Sequence, residues 1–293
     1  MRSAPFRTIV DHLMPELPEV ETIARGLDPV LRGRRVETVW GSGLPLHLNR
    51  PVDLRALRSA VAGRTIAAVR RRGKYLLMEL GSSEDQGVLV HLGMTGRLRV
   101  QPAGAPRAPH THVVFGLAGG DELRFADARR FGWVQAGAPL GAVAALAALG
   151  PDPLSELDAP ALAAALATSR APVKSFLLDQ RRVAGLGNIY VAEALFLAGI
   201  HPTTPARRLV ERAPELLEAI RASLAGGIAR RGTTLRDYVD ADGQKGDNAS
   251  ALLVYGRAGQ ACPRCGAAVR RRVDAGRATF FCPTCQPARR SRR

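Results

Sequence analysis

The chain lacks any long apolar segment. Although 46% of its 293 residues are hydrophobic, no run reaches the roughly 18 consecutive apolar residues from which a membrane-spanning helix is recognised. The sequence therefore excludes a membrane span. Residues 1–13 contain two arginines and no apolar core of signal-peptide length, so we also exclude secretion and expect a cytoplasmic protein. The length suggests about two domains.

Acidic residues are scarce relative to basic ones. The chain has 42 lysines and arginines against 26 aspartates and glutamates, a formal net charge of +16. Such an excess favours a polyanion as the binding partner. Half of it lies in residues 262–293, with nine arginines and one aspartate. We expect a contact region there, although the last four arginines are equally typical of a solvated tail.

Lysine is nearly absent, because 39 of the 42 basic residues are arginine. A lysine amine can lose its proton, whereas a guanidinium can act neither as a base nor as a Schiff-base amine. The three lysines, Lys74, Lys174 and Lys245, are therefore candidates for a specific role. The case is weakest for Lys245, which lies in a polar loop.

The four cysteines form two pairs, Cys262/Cys265 and Cys282/Cys285, separated by sixteen residues. A two-residue spacing lets two thiolates bind one tetrahedral ion, and two such pairs complete a structural zinc site. Four protein ligands leave no open position, so we expect the zinc to be structural. The alternative, two disulfides, requires an oxidising compartment.

Apolar periodicity predicts an α+β chain. Helical spacing runs from Glu19 to Leu31, and short β-type runs follow between Val36 and about Val134. These runs are Ile66 to Arg71, Tyr75 to Leu80, Val88 to Leu92, His112 to Leu117 and Glu122 to Phe125. The alanine-, glycine- and proline-rich segment from Gly137 to Pro153 indicates a domain boundary.

Helices dominate the second half of the predicted structure. They are Ala159 to Thr168, Pro172 to Arg182, Ile189 to Ala198 and Glu215 to Ala229. Asn188 is placed to cap the third helix and Gly199 to end it. A strand near Leu252 to Tyr255 and a hairpin around Asp274 to Gly276 follow. We divide the chain into an extension (1–13), a β-rich domain (14–137), a helical domain (138–250), a zinc ribbon (251–286) and a basic tail (287–293).

Seven motifs give the chain a recognisable order. They are MPELPEVET (14–22), RGKYLLMEL (72–80), HLGMTG (91–96), DARRFG (127–132), GLGNIY (185–190), VYGR (254–257) and RATFFC (277–282). Together with the cysteine pairs they resemble the formamidopyrimidine-DNA glycosylases from Met14 to Cys285. The resemblance implies an N-terminal β-sandwich that begins with a helix, a helical domain with a helix-two-turns-helix element, and a zinc ribbon.

The resemblance also implies an activity. It indicates a monomeric, nucleoid-associated enzyme of base excision repair that acts on double-stranded DNA containing damaged bases. The implied reaction removes oxidised purines, namely 8-oxoguanine and formamidopyrimidines, and then nicks the backbone by β,δ-elimination. One structural zinc ion is the implied cofactor, and no Mg²⁺ is expected.

Pro15 is the implied nucleophile. In the family, removal of the initiator methionine exposes a proline amine, which attacks the sugar. An α-amine titrates near about pH 7.7–8.0 and is less protonated at neutrality than lysine, so this chemistry is reasonable. Without the resemblance, Pro15 would equally suit a turn. Glu16 is the implied proton donor, whereas Glu19 and Glu21 are also typical of a helix N-terminus.

Three further polar residues match phosphate-binding positions. Lys74 matches a lysine that contacts the phosphate near the lesion and assists the first elimination. Arg277 matches a zinc-hairpin arginine that grips phosphates and donates a proton in the second elimination, although its very high pKa makes the grip the better-supported role. Asn188 matches a phosphate-binding residue of the helix-two-turns-helix element, and it also suits a helix cap.

A base can react only after it leaves the stack, and a wedge must fill its place. Met94, Arg129 and Phe131 match the family's intercalating residues. The DNA-contacting positions that we carry over are His110, Arg129, Arg170 and Lys174, besides Asn188. We expect His91 and His112 to be structural.

Two features depart from the family pattern. Residues 1–13 precede Met14, so Pro15 has a free amine only if translation starts at Met14 or the extension is removed. Within Asp242 to Ser250, the Asp-Asn-Ala-Ser run lacks the aromatic or glutamine that is usual in the damaged-base loop. The alternatives are an endonuclease-VIII-like glycosylase for oxidised pyrimidines and a catalytically inactive zinc-ribbon DNA-binding protein.

Overall fold

The computed structural model describes residues 14–47, 50–81, 86–137, 139, 141 and 143–288. The strands are β1 Val36–Gly41, β2 Ile66–Arg72, β3 Tyr75–Leu80, β4 Gly87–His91, β5 Arg97–Pro102, β6 Thr111–Leu117, β7 Asp121–Ala126, β8 Trp133–Gly137, β9 Arg270–Asp274 and β10 Arg277–Phe281. The α-helices are α1 Leu17–Leu31, α2 Leu54–Val61, α3 Ala144–Ala147, α4 Ala159–Ala167, α5 Val173–Leu178, α6 Asn188–Leu197 and α7 Ala213–Ala229. The predicted extension 1–13 and residues 289–293 of the predicted tail lie outside this range.

The N-terminal domain is a β-sandwich. One antiparallel sheet has the order β1-β6-β7-β5 and the other the order β2-β3-β4-β8. Val39, Phe115 and Leu123 of the first sheet share a buried core with Met78 and Val90 of the second. Apolar side chains from the facing sides of the two sheets pack together, which is what stabilises a sandwich. The predicted α+β fold with an N-terminal sandwich is confirmed.

Helix α1 joins this sandwich to the rest of the molecule. Its residues Val20, Ile23 and Leu27 belong to the sandwich core, as the predicted helical spacing requires. Leu17, by contrast, belongs to the core of the helical domain, and its backbone N–H donates to the carbonyl of Gly185 at 3.0 Å. The first turn of α1 therefore lies at the boundary between the domains.

The helical domain is built around α6, whose apolar residues are buried on all sides. Helices α4, α6 and α7 confirm three predicted helices to within a few residues. The fourth, predicted from Pro172 to Arg182, is shorter and ends at Leu178. The chain turns there because the side chain of Gln180 bonds to the carbonyl of Leu186 at 2.8 Å and to the N–H of Gly185 at 2.9 Å.

The predicted strand from Leu252 to Tyr255 is wrong. Its N–H groups from Leu253 to Tyr255 all donate to the buried carboxylate of Glu193 on α6, at 2.8–3.0 Å. A strand needs those donors for a neighbouring strand. The segment instead forms bends and a turn.

The C-terminal hairpin β9-β10 carries the four cysteines at its base. The Sγ atoms lie within 4.8 Å of one another, with Cys265–Cys282 at 3.5 Å and Cys262–Cys285 at 3.9 Å. A tetrahedral ion with bonds of about 2.3 Å requires sulfur–sulfur edges of about 3.8 Å, whereas a disulfide requires about 2.05 Å. The donor set fits one zinc ion, and the four thiols are free.

Within the described residues, no helix combines the length and apolar character that a bilayer crossing requires.

Loss of the zinc should loosen the hairpin. Replacing the fully buried Cys282 in Cys282→Ser should lower the zinc content from about one equivalent to near zero, and the unfolding temperature should fall. Zinc released by a thiol-blocking mercurial can be measured with a chromogenic indicator. Thr284→Ala is the matched control, because Thr284 is exposed in the same loop. A purified chain with no zinc would contradict the assignment.

Candidate active site

A cleft of about 700 Å³ lies between the sandwich, the helical domain and the zinc hairpin. Its lining includes seven residues that the sequence singled out: Glu16, Lys74, Met94, Arg129, Phe131, Asn188 and Arg277. Pro15 lines a smaller adjoining pocket with Glu19, Met94 and Arg129. The tertiary structure thus brings residues from three domains to one place.

The carboxylate of Glu16 caps a helix in the other domain. It accepts the backbone N–H groups of Ile189 at 2.9 Å and Tyr190 at 3.3 Å, in the first turn of α6. Gly187 precedes this turn, and a Cβ there would overlap the Glu16 side chain. A negative charge at a helix N-terminus is stabilised by the exposed N–H groups and the helix dipole. Burial nevertheless raises the pKa of Glu16, against the lowering effects of Lys74 and these N–H groups.

Glu19 is a second buried carboxyl one turn along α1. It accepts hydrogen bonds from the N–H of Glu16 at 2.8 Å, the hydroxyl of Tyr190 at 2.7 Å and the N–H of Thr233 at 2.7 Å. Burial, with the charge of Glu16 second, raises the pKa of Glu19 to about 7. Glu19 is the third residue of α1 and forms a capping box with Glu16, as is typical of a helix N-terminus, and it is also buried at 2% exposure.

Lys74 lies in the turn between β2 and β3 and lines the cleft. Burial lowers the pKa of its ammonium, and the charge of Arg277 lowers it further, while Glu16 and Glu19 act in the opposite direction. The amine is therefore easier to deprotonate than that of a solvated lysine.

The two predicted wedge loops are locked together by Asp127, which is 1% exposed. Its carboxylate accepts the hydroxyl of Thr95, the N–H of Arg129 at 3.1 Å and the N–H of Gly132 at 2.7 Å. The side chain of Phe131 is 42% exposed and lies under the guanidinium of Arg129 at 4.8 Å. An exposed phenylalanine held on a fixed loop is available to contact a ligand.

Strand β10 begins at Arg277 and is held in place at the following residue, Ala278. The carbonyl of Ala278 accepts the side-chain amide of Asn188 at 2.9 Å and the ammonium of Lys174 at 2.7 Å. The N-cap of α6 is Gly187, so Asn188 is not the cap that its position predicted. Lys174 is 3% exposed and also bonds to Thr279 at 2.6 Å. Its ammonium therefore holds the hairpin, and the DNA contact expected from the sequence stays a prediction.

The remaining two predicted contact residues lie outside the lining of the cleft. His110 lines a neighbouring groove of about 380 Å³ on the sandwich, together with Arg97 and Arg99. Arg170 is exposed between α4 and α5.

Among the polar residues that line the cleft are His91, which the sequence analysis expected to be structural, and Tyr255, which it did not single out. The Nδ1 atom of His91 accepts the N–H of Gly93 at 3.2 Å, which leaves the ring proton on Nε2. Burial, with the charge of Lys74 next, lowers the pKa of His91 to about 4, so the ring is neutral. Tyr75 pairs with His91 across β3 and β4. Pairing the two predicted strands as a hairpin would therefore have placed His91 opposite the residue that follows Lys74.

His112 is structural, as expected. Its ring bonds to the hydroxyl of Ser42 at 3.0 Å and to the carbonyl of Asp127 at 3.1 Å.

A segment that the sequence analysis did not single out lies at the same pocket as Pro15. Thr233 and residues 235–238 line the smaller pocket. Asp242 to Ser250 does not line it, and instead the side chain of Asn248 bonds to Thr233 at 2.8 Å.

Three family models match successive parts of the chain. The formamidopyrimidine-DNA glycosylase N-terminal domain matches residues 14–134, and the H2TH domain of the same glycosylases matches residues 149–239. A zinc finger found in FPG and IleRS matches residues 259–288.

Full-length relatives give the same result. A formamidopyrimidine-DNA glycosylase of Moorella thermoacetica is 50% identical over 264 residues, which are 88% of this chain and 94% of the relative. One of Rhizorhabdus wittichii is 47% identical over 279 residues, covering 93% of this chain and all of the relative.

Solved structures extend the likeness to three dimensions. A Lactococcus lactis FPG mutant, in complex with a Fapy-dG containing DNA, has a TM-score of 0.84 and 36% identity, covering 94% of this chain and 100% of that one. MutM (Fpg) from Thermus thermophilus has a TM-score of 0.81 and 42% identity, covering 93% and 98%. The chain therefore belongs to the formamidopyrimidine-DNA glycosylase family.

Proposed function

We propose that the chain is a bifunctional DNA glycosylase and AP lyase, which removes oxidised purines from double-stranded DNA and then cleaves the backbone by β,δ-elimination. The observation that carries the proposal is the position of Pro15, at a pocket beside the buried carboxyl groups of Glu16 and Glu19 and the cleft residue Lys74. Family membership supports it, as do relatives solved with Fapy-dG and abasic-site DNA.

The nitrogen of Pro15 acts as the nucleophile once residues 1–14 are absent. Its lone pair forms a bond to C1′ of the deoxyribose while the bond from C1′ to the base breaks, and the departing base takes up a proton. The nitrogen then loses its own proton as the C1′–O4′ bond breaks, O4′ takes up a proton, and an iminium ion remains. Glu16 supplies a proton during these steps. Its raised pKa suits a general acid, because more of the carboxyl stays protonated near neutrality.

The cationic and neutral donors of the cleft hold the phosphates beside the lesion. Lys74 binds a phosphate and, with its lowered pKa, assists the first elimination by removing a proton. Arg277 offers a fork of N–H donors that suits a phosphate. The Nε2–H of His91 and the Tyr255 side chain line the same wall.

The wedge of Met94, Arg129 and Phe131 fills the space that the extruded nucleotide leaves in the duplex. The nucleotide itself enters the cleft of about 700 Å³ where it adjoins the pocket lined by Pro15, Glu19 and residues 235–238.

A free amine at Pro15 should be essential for covalent trapping. The chain beginning at Pro15 should be trapped by borohydride on an 8-oxoguanine duplex, because an iminium ion is reduced to a stable adduct. The chain that retains residues 1–14, verified by mass, should give no adduct because its Pro15 nitrogen is in a peptide bond. Equal trapping of both forms would require another nucleophile.

Lys74→Ala should reduce excision of 8-oxoguanine by roughly 100-fold, a loss typical of removing one electrostatic donor from an active site, because the variant loses the phosphate contact. Lys245→Ala is the matched control, because Lys245 is exposed and outside both pockets. Single-turnover excision at saturating enzyme measures both variants. Equal rates for the two variants would remove Lys74 from the mechanism.

The base preference should follow the family. Duplexes containing 8-oxoguanine should be cleaved at least about tenfold faster than duplexes containing thymine glycol, a difference of about 1.4 kcal/mol in transition-state stabilisation. The reverse order would indicate the pyrimidine-specific alternative. Duplex binding without excision or trapping would indicate a catalytically inactive DNA-binding protein.

A further inference from the structure

A buried chain of hydrogen bonds lies behind Pro15. The hydroxyl of Tyr190, a fully buried residue of α6, donates to Glu19 at 2.7 Å. The same hydroxyl lies 2.9 Å from the hydroxyl oxygen of Thr233, which accepts the side-chain amide of Asn248 at 2.8 Å. Tyr190 thus contacts two groups at once. One is the carboxyl group of Glu19, which lies close to Pro15 in the chain, and the other is Thr233, the first residue of the segment that lines the pocket.

The direction of these bonds follows from donor counting. An ionised Glu19 can only accept, so Tyr190 must donate its single O–H to it. The hydroxyl of Thr233 must then donate to Tyr190. The other recorded donors to Glu19 in the described chain are the backbone N–H groups of Glu16 and Thr233. Those N–H groups are fixed, whereas the Tyr190 hydroxyl can rotate and accept a proton from a neutral Glu19.

The ring of Tyr190 has no room to move towards α7. A Cβ on Gly227 would lie 2.5 Å from the ring, so the helix approaches the ring as closely as a glycine permits. The hydroxyl is therefore fixed in position even though its proton can rotate.

We propose that Tyr190 is a positioning residue, which holds Glu19 and Thr233 together and so fixes the Pro15 segment relative to the segment 233–238 that lines the same pocket. This rests on the proposed function, because the pocket adjoins the part of the cleft that is taken to receive the extruded nucleotide. Tyr190 acts through Glu19 and Thr233, and it lines neither the pocket nor the cleft.

Several titratable groups face Glu19. They are Glu16 on the same segment, Lys74 from the β2–β3 turn, Tyr190 from α6 and Tyr238 from the pocket segment. A hydrogen bond to a charged group is stronger than one to a neutral group. Loss of the Tyr190 hydroxyl therefore destabilises the ionised Glu19 more than the neutral form, and raises its pKa further.

The sign of the pH effect follows. Glu19 has a folded pKa of about 7 against an ordinary value of 4.5, so its protonation stabilises the fold at low pH and this contribution is lost as the pH rises from 4.5 through 7. If the pKa of Glu19 is higher still in the folded Tyr190→Phe variant, the variant goes on losing stability at pH values where the parent has stopped losing it. Tyr190→Phe should therefore destabilise the protein more at about pH 8.5 than at about pH 5.5.

Urea unfolding of the full chain at these two pH values tests this. The Tyr190→Phe deficit relative to the parent should grow with pH, and in a Glu19→Gln background it should become independent of pH. Tyr238→Phe is the stability control for loss of a tyrosine hydroxyl, because that hydroxyl donates to the backbone carbonyls of Arg231 at 3.1 Å and Glu19 at 3.4 Å and not to the Glu19 carboxylate. A Tyr190→Phe deficit that is the same at both pH values would overturn the proposal.

Activity supplies a second arm. With the chain beginning at Pro15, Tyr190→Phe should slow excision of 8-oxoguanine roughly tenfold. Nicking of a preformed abasic site, which has no base to place beside the pocket, should slow by less than about threefold. Equal loss in both assays would overturn the positioning role. An inactive parent chain would instead refute the proposed function, and the unfolding experiment would still decide the role of Tyr190.

Discussion

The structure depends on one interaction across the domain boundary, the bond between the Glu16 carboxylate and the first turn of α6. Glu16 precedes the first helix of the sandwich domain, and α6 is the centre of the helical domain. A helix N-terminus leaves several N–H groups without partners, and here a carboxylate from elsewhere in the chain satisfies two of them. This contact places Pro15 at the junction, where the cleft and the smaller pocket meet.

Charge distribution in the cleft follows from that placement. Glu16 and Glu19 are both buried on the same segment, so their pKa values are raised. Lys74, from a sandwich turn, lowers the pKa of Glu16, and Arg277, from the zinc hairpin, lowers the pKa of Lys74. The pKa values of Glu16, Glu19 and Lys74 are each shifted in part by groups of another domain. Relative domain position therefore controls the protonation states available at the site.

The zinc ribbon acts on the site through geometry. The hairpin is stabilised at its base by the four cysteines and along β10 by Asn188 and Lys174, which meet at the carbonyl of Ala278. Lys174 is buried and Asn188 is half-buried, so the ribbon and α5–α6 together hold the strand that begins with Arg277 at the cleft. An arginine on a free hairpin would lose this position through side-chain and backbone entropy.

Local pattern in the sequence determined the four-cysteine zinc site, the amphipathic helix α1 and most strands of the sandwich, and the family motifs singled out seven residues that line the cleft. These depend on spacing and residue chemistry over short stretches. Only the tertiary structure decided that Lys174 is buried against the hairpin, that Glu193 holds residues 253–255 out of a strand, and that His91 and residues 233–238 adjoin the site. Each of these depends on contacts between residues far apart in the chain, and neither periodicity nor motif spacing encodes which distant donor will satisfy a buried acceptor.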